Sequence, residues 1–185
     1  VRNLLVDHTE DYVEVEEALR QGHGPWFART KLTGHSGEGI VILREQRDIT
    51  DEIRTKCKLF TKNFHKTHEY RVYVMGEEIF HASSKHKSSR VGFHDEHVWT
   101  HNNGYVYCFK KVKLPAPVEE LVREFIQMTL LKFFAIDILY NKNTREAKIV
   151  EVNTAPGMEG TTLERFIDKL KAAYERIVTS NEHSV

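Results

Sequence analysis

Two apolar runs near the C-terminus constrain the fold most tightly. Phe134–Tyr140 reads FAIDILY, Ala147–Val152 reads AKIVEV, and the polar stretch Asn141–Glu146 lies between them. Apolar runs of this length, rich in β-branched residues, predict strands, and a short polar link makes them antiparallel neighbours. Side chains alternate along a strand, so Glu151 and Asn153 share a face. The neighbouring strand brings Asp137, set inside an apolar run, alongside them. Carboxylates on one face repel unless a cation or a basic group sits between them. Two carboxylates and an amide oxygen are hard oxygen donors suited to Mg²⁺, which keeps its other positions for water and phosphate oxygens. Taken singly, each acid fits a solvated strand end equally well.

The rest of the chain predicts a mixture of helices and strands that does not alternate as βαβ, which favours α+β over a doubly wound sheet. Glu10–Gln21 predicts a helix, followed by strands at Trp26–Lys31, Ile40–Leu43 and Lys58–Phe60. Tyr70–Met75 and Glu78–Ala82 predict a hairpin turning at Gly76–Glu77. Ser83–His101 reads as a long polar loop, and Gly104–Val112 as a strand. Pro117 opens a helix with Val118, Leu121, Val122, Phe125, Met128 and Thr129 on one stripe. The last helix is expected from about Thr162 to Val178, burying Phe166, Leu170, Ala173, Tyr174 and Ile177. The tail Thr179–Val185 is expected to be loose.

Composition excludes several classes. With 185 residues, 27 Lys plus Arg and 27 Asp plus Glu, the chain has no bulk charge for coating nucleic acid or an anionic membrane. At 40% hydrophobic and 29% charged it can bury a core. Two distant cysteines, Cys57 and Cys108, make neither a disulfide framework nor a four-ligand zinc site. No run nears the roughly 20 apolar residues of a bilayer span. The 11 histidines show no metal-ligand spacing, and loop histidines without a motif read as surface residues. Of these, His101 stands out for its neighbours Asn102 and Asn103. Trp26 and Trp99 give no base-stacking pattern.

Two further constellations carry chemistry. In ARTKLTGHSGEGIVIL, Lys31 precedes a loop containing Gly34, Ser36, Gly37 and Gly39. Glycines let backbone N–H groups converge on phosphate oxygens, and a lysine adds a point charge. The order is not that of a Walker A loop, and a tight hairpin without ligand fits as well. In EYRVYV, Glu69 and Arg71 share a strand face, with Lys85 and Lys87 downstream. These cations suit a transferring phosphoryl group, or equally an exposed basic edge.

Together the motifs resemble the ATP-grasp ligases, in particular the RimK-like glutamate ligases and small phage-encoded carboxylate–amine ligases. FFAIDILYN with EVNTAPGMEGTTLE resembles the metal-binding end, and RTKLTGHSGEGIVIL the phosphate loop. KLFTKNFHKTHEYRVYV resembles the hinge and its following strand, and HNNGYVYC a segment near the nucleotide. The likeness runs from about Trp26 to Glu164. It implies two α+β subdomains clasping ATP, a smaller one at about 1–57 and a hinge and metal-binding one at about 58–185. Lys31, Ser36 and Gly37 would meet phosphate. Phe60, Thr61, Lys62 and Asn63 would line the adenine through backbone groups, Glu69 would hold the ribose, and Asn103 would lie near the phosphates. Asp137, Glu151 and Asn153 would ligate Mg²⁺, or Mn²⁺ in its place. Arg71, Lys85 and Lys87 would steady the γ-phosphate and an acyl phosphate. Lys62 stands where the family usually has Glu, and Trp99 where phage relatives often carry Arg.

The implied activity is an ATP-dependent carboxylate–amine ligase that forms an amide through an acyl phosphate. Its partners would be small-molecule or peptide carboxylates and amines, with no nucleic acid or membrane and an undetermined oligomeric state. Its place would be the cytoplasm, that of the host if phage-encoded. An ATP-binding module, a phosphotransferase of the same fold and a non-enzymatic interaction domain are the alternatives. The start at Val1 and the lack of a Lys before Lys31 imply either a minimal member or a missing N-terminal part.

Overall fold

The computed structural model describes residues 4–31, 38–90, 92, 95–108 and 112–182. The chain forms two compact units, one of residues 1–67 with 85–106 and one of 68–84 with 107–185. Strand Leu59–Lys62 belongs to the first unit, held there by pairing on both sides.

In the first unit, β1 (His8–Thr9), β2 (Trp26–Arg29), β3 (Ile40–Leu43) and β4 (Leu59–Lys62) form an antiparallel sheet in the order β1-β4-β2-β3. Helix α1 (Tyr12–Arg20) starts where the Asp11 carboxylate accepts from the Val13 N–H. A second helix, α2 (Asp51–Lys56), was not expected from periodicity. Thr50 caps it, acids open it and bases close it, so its signal is capping and charge; Ile53 is its one buried residue. Val15, Leu19, Trp26, Ala28, Leu43, Ile49, Ile53, Cys57 and Phe60 make the core.

The β2–β3 hairpin closes at Thr30, whose N–H and Oγ1 both donate to the Gly39 carbonyl, at 2.9 and 3.1 Å. Gly39 has φ 76°, and a Cβ there would stand 2.8 Å from Thr30 Oγ1 and 3.1 Å from Lys31 Cβ. Only glycine fits that turn.

A five-stranded sheet contains β5 (His68–Met75), β6 (Glu78–Lys87), β7 (Tyr105–Cys108), β8 (Phe133–Asn141) and β9 (Glu146–Asn153), in the order β7-β6-β5-β8-β9. The β5–β6, β5–β8 and β8–β9 pairings are antiparallel. Strand β6 is longer than expected: Ser83 pairs with Arg71 and Ser84 with Tyr70, inside what reads as a polar loop. Pairing and burial, not hydropathy, decide that segment. Helix α3 (Ala116–Met128) lays Val118, Leu121 and Val122 against β8 and β9, and Phe125 meets Phe134 edge-on at 5.6 Å.

Helix α4 (Thr161–Glu182) runs past the expected end at Val178. Its contacts also differ. Phe166 packs on Phe133 and Phe80, at 4.9 and 6.1 Å, whereas Leu170 and Tyr174 are 47% and 69% exposed. A helix of this length has several apolar positions, and the contacts of Arg165 and Lys169 with β6 select which ones turn inward.

Gly39→Ala is expected to destabilise the protein by about 1–3 kcal/mol, from left-handed strain and the close Thr30 contact. The measurement is a lower urea midpoint at an unchanged denaturant slope.

Candidate functional site

One face of the second unit's sheet carries the charged residues. Along β5, Glu69, Arg71 and Tyr73 alternate onto this face, while Tyr70, Val72 and Val74 point the other way into the core. Arg71 is registered against Asp137 of β8, and Asp137 in turn against Glu151 of β9. A bulge decides the last pairing. Ile149 lies opposite Ile138, but Glu151 lies opposite Asp137, so Val150 is an extra residue. Without it, Glu151 would follow Ala147 and Ile149 into the apolar layer. The added residue turns Glu151 and Asn153 onto the Asp137 face.

Arg71 grips Asp137 with two hydrogen bonds of 2.6 Å, Nε to Oδ1 and Nη2 to Oδ2. The side chains are 24% and 7% exposed, so this is a largely desolvated bidentate pair. Burial opposes the Arg71 charge, but the hydrogen bonds and field of Asp137 outweigh it and push the guanidinium pKa up. The Tyr107 ring lies 4.9 Å from the guanidinium carbon. Burial first, then the Asp137 charge, pushes the Tyr107 hydroxyl pKa up and keeps it protonated. Glu151 is exposed, and Glu69 is buried. The Asn153 Nδ2 is buried with no hydrogen-bond partner among the described residues.

Next to this group, His81 is 2% exposed and its Nδ1 accepts from Arg165 Nη1 at 2.8 Å. Burial first, and then the Arg165 charge, lowers the His81 pKa, so the ring is neutral with an accepting Nδ1. Ser83 and Thr162 are buried too, and neither hydroxyl has a partner among the described residues. Sequence reasoning missed Tyr107, His81, Ser83, Thr162 and Arg165. Tyr107 lies in HNNGYVYC and Thr162 in EVNTAPGMEGTTLE, but the motifs did not single them out, and only the sheet register shows that His81 and Ser83 share the Arg71 face.

In the first unit, Lys31 is ion-paired with Glu38, both exposed; Ser36 and Gly37 lie outside the described residues. Phe60 is core and Thr61 is buried. The Lys62 N–H donates to Asp7 O at 2.8 Å and the Asn63 N–H to Pro25 O at 3.0 Å. Those two amides serve the first sheet and its flanks. Asn103 Nδ2 donates to Val98 O at 2.8 Å, inside a loop where Trp99 stacks on Tyr105 at 4.8 Å and Lys66 Nζ lies 4.9 Å from the Trp99 ring centre. Its amide thus has a structural task. Lys85 is half-buried and Lys87 exposed, following Ser83 along β6 at the two-residue period.

No family model and no curated protein matches the chain. Solved structures do. The ATP-grasp ligase PsnB complexed with a minimal precursor aligns at TM-score 0.59 and 14% identity, over 85% of this chain and 49% of PsnB. N5-carboxyaminoimidazole synthetase from Staphylococcus aureus, complexed with ADP, aligns at 0.60 and 15%, over 86% and 42%. D-alanine–D-alanine ligase from Bacillus anthracis aligns at 0.59 and 16%, over 91% and 57%. The chain has the ATP-grasp fold. It spans about half the length of these structures. PsnB has also been solved with Mg and ADP.

Within this ATP-grasp fold the donor chemistry fits a hard divalent cation. Asp137 and Glu151 are cross-strand neighbours, Asn153 lies two residues on, and its amide end has no partner among the described residues. An Asn amide exchanges its oxygen and nitrogen positions by a simple flip. Each Asp137 oxygen gives one hydrogen-bonding direction to Arg71 and retains another. No group of three or more His, Cys, Asp or Glu side chains among the described residues is placed to hold a metal. The fit therefore depends on the Asn153 oxygen and on an Asp137 shared with Arg71.

Removing Arg71 alone, as in Arg71→Leu, is expected to destabilise by about 3 kcal/mol, because it strands a buried carboxylate. The Arg71→Leu/Asp137→Leu double variant is expected to lose clearly less than the sum of the singles, read in a urea double-mutant cycle. His81 yields a pH effect. The unfolded ring takes up a proton near about 6.5 while the folded ring, its pKa lowered, resists it. Stability is thus expected to fall as pH drops below that value, and His81→Gln to flatten the dependence of the urea midpoint on pH.

Proposed function

We propose that the protein is an ATP- and Mg-dependent carboxylate–amine ligase of the RimK-like kind, akin to the phage-encoded members of that group. The observation that carries this reading is the Arg71–Asp137–Glu151 row with Asn153 on one sheet face of a chain with the ATP-grasp fold. The motif order around Lys31, Glu69 and EVNTAPGMEG supports it, as do the ADP-bound and peptide-bound ligases among its structural neighbours.

Chemically, a substrate carboxylate oxygen attacks the γ-phosphorus of ATP, the bond to the β-phosphate oxygen breaks, and ADP leaves. The amine nitrogen of a second substrate then attacks the acyl carbon. Inorganic phosphate departs, the nitrogen loses a proton to solvent, and an amide results. No protein nucleophile is needed, so rate comes from placement and charge compensation. In the second unit, Asp137, Glu151 and the Asn153 oxygen would hold Mg²⁺, or Mn²⁺ in its place. Bound there, the ion would offset the phosphate charge that repels an incoming carboxylate. Arg71, fixed by Asp137, presents a cation of constant charge and position, and Tyr107 caps its face against water. Glu69 would take the ribose hydroxyls. In the first unit, Lys31, Ser36, Gly37, Lys85, Lys87 and Asn103 are proposed phosphate contacts. The Phe60–Asn63 segment would contribute to the base site through groups other than the Lys62 and Asn63 amides. The protein would work in the cytoplasm; no helix among the described residues is long and apolar enough to cross a membrane.

With Mg-ATP, a carboxylate and an amine, the expected products are ADP, phosphate and an amide seen by mass spectrometry. Glu151→Gln, at an exposed position, is expected to lower turnover at least about 100-fold with an unchanged melting temperature. Unchanged turnover in that variant sinks the metal assignment. A stable phosphorylated product without amide identifies a phosphotransferase, and ATP binding without turnover identifies a binding module.

A further inference from the structure

Helix α4 has two faces of different kinds. Its inward face is taken up by its own unit. Thr162 is buried, Arg165 bonds His81, Phe166 packs on Phe80 and Phe133, and Lys169 is ion-paired with Glu78. About 120° round the helix runs a second, apolar stripe. Its members Leu163, Ile167, Leu170 and Tyr174 are 41%, 41%, 47% and 69% exposed. Steps of four, three and four residues keep them in line over about three turns, which is the spacing of a seam between two packed helices. Single exposed apolar side chains are ordinary, but four in line on one helix form a contact surface.

The charges beside the stripe decide what fits it. One flank carries Glu164 and Lys171, both exposed, seven residues and so about two turns apart. Neither side chain has an ion-pair or hydrogen-bond partner among the described residues, whereas Lys169 and Arg176 on the inward side both reach Glu78. The other flank carries the uncharged Phe166 and Ala173. Consider a second copy of α4 laid antiparallel on the stripe, with the two-fold axis between Asp168 and Lys169. Ile167 then meets Leu170 of the second copy, and Leu163 meets its Tyr174. In a two-fold antiparallel pair like flanks lie together, so Glu164 stands within about 3 Å, along the axis, of the height of Lys171 of the second copy. Symmetry makes the same pair twice. In a parallel pair opposite flanks lie together, and both charges would face Phe166 and Ala173. The surface is therefore complementary to itself in the antiparallel sense alone.

We propose that the chain forms a two-fold symmetric dimer through the Leu163–Tyr174 face of α4, packed antiparallel, with reciprocal Glu164–Lys171 pairs closing one flank. The proposal goes beyond the ligase reading and does not rest on it. Any apolar partner can cover an apolar stripe. A second copy is the partner that necessarily brings a lysine opposite Glu164 and a glutamate opposite Lys171. Four apolar side chains from each copy make a small interface, so a dissociation constant on the order of 10 µM is expected.

The test is sedimentation equilibrium of the full chain over about 1–200 µM, a range that brackets such a constant. A monomer–dimer equilibrium is expected. Leu170→Glu, at an exposed position in the middle of the stripe, is expected to give monomer at every concentration with unchanged far-UV circular dichroism. Glu164→Lys and Lys171→Glu each set like charges along the flank, and each is expected to weaken the dimer at least about tenfold. The Glu164→Lys/Lys171→Glu double variant, and an equimolar mixture of the two single variants, are each expected to recover association to within about threefold of wild type. That recovery is specific to a reciprocal contact between copies, because neither a foreign partner nor unspecific clustering is restored by exchanging the two charges. Monomer throughout the range overturns the proposal and leaves the stripe to another segment or another protein. A dimer that survives Leu170→Glu overturns it by placing the interface elsewhere. Weakening in the single variants without recovery in the double variant and the mixture overturns the antiparallel arrangement.

Discussion

The bidentate contact between Arg71 and Asp137 is the interaction on which the second unit's organisation depends. Asp137 lies on β8, flanked by β5 and β9, in a strand whose residues from Phe134 to Tyr140 are all buried. A carboxylate in that position must be compensated or it destabilises the sheet. Arg71, opposite it on β5, supplies the charge and two short hydrogen bonds. The pairing also sets what each group can do. Asp137 commits one bonding direction on each oxygen to Arg71, and Arg71 remains a cation fixed in direction. A preformed charge layout of this kind needs little reorganisation when charge moves in a reaction.

Two irregularities in the sheet turn this pair into a larger polar face. The bulge at Val150 brings Glu151 and Asn153 round to Asp137. A second register shift, between Tyr73 and Val74, leaves Phe80 as the extra residue on β6, so that His81 and Ser83 fall on the Arg71 side. In a regular sheet, one strand's side chains hold to one alternation from end to end. Here an apolar layer packs on α3 near one part of β9 and a polar layer with Glu151 and Asn153 lies near the other, and a single inserted residue makes the change. Helix α4 then closes over one end of the polar face through Arg165 and Phe166.

Much of this was legible in the residues. The α+β class, the strand pair around Asp137 and Glu151, the hairpin at Gly76, the amphipathic third helix and the shared face of Glu69 and Arg71 all follow from alternation, helical period and turn chemistry. What was not legible has identifiable causes. Ser83–Lys87 is strand because β5 pairs with it, while its composition reads as loop. Helix α2 has one buried residue, so no apolar stripe announces it. The outward turn of Leu170 and Tyr174 is decided by which neighbours α4 meets, a fact that no periodicity contains. The Lys62 and Asn63 amides are taken by Asp7 and Pro25 carbonyls that are distant in sequence.

By itself, then, the sequence determined which side chains share a strand face and which chemical types stand two residues apart, because backbone pleat and helical pitch are local properties. That was enough to bring Asp137, Glu151 and Asn153 into one reading. Tertiary structure alone decided that Arg71 neutralises Asp137 and that a bulge turns Glu151 toward it. It also decided that Arg165 bonds His81 from the last helix. Those outcomes depend on cross-strand register and on the packing of a helix against a sheet, where one inserted residue or one long-range ion pair outweighs any local preference.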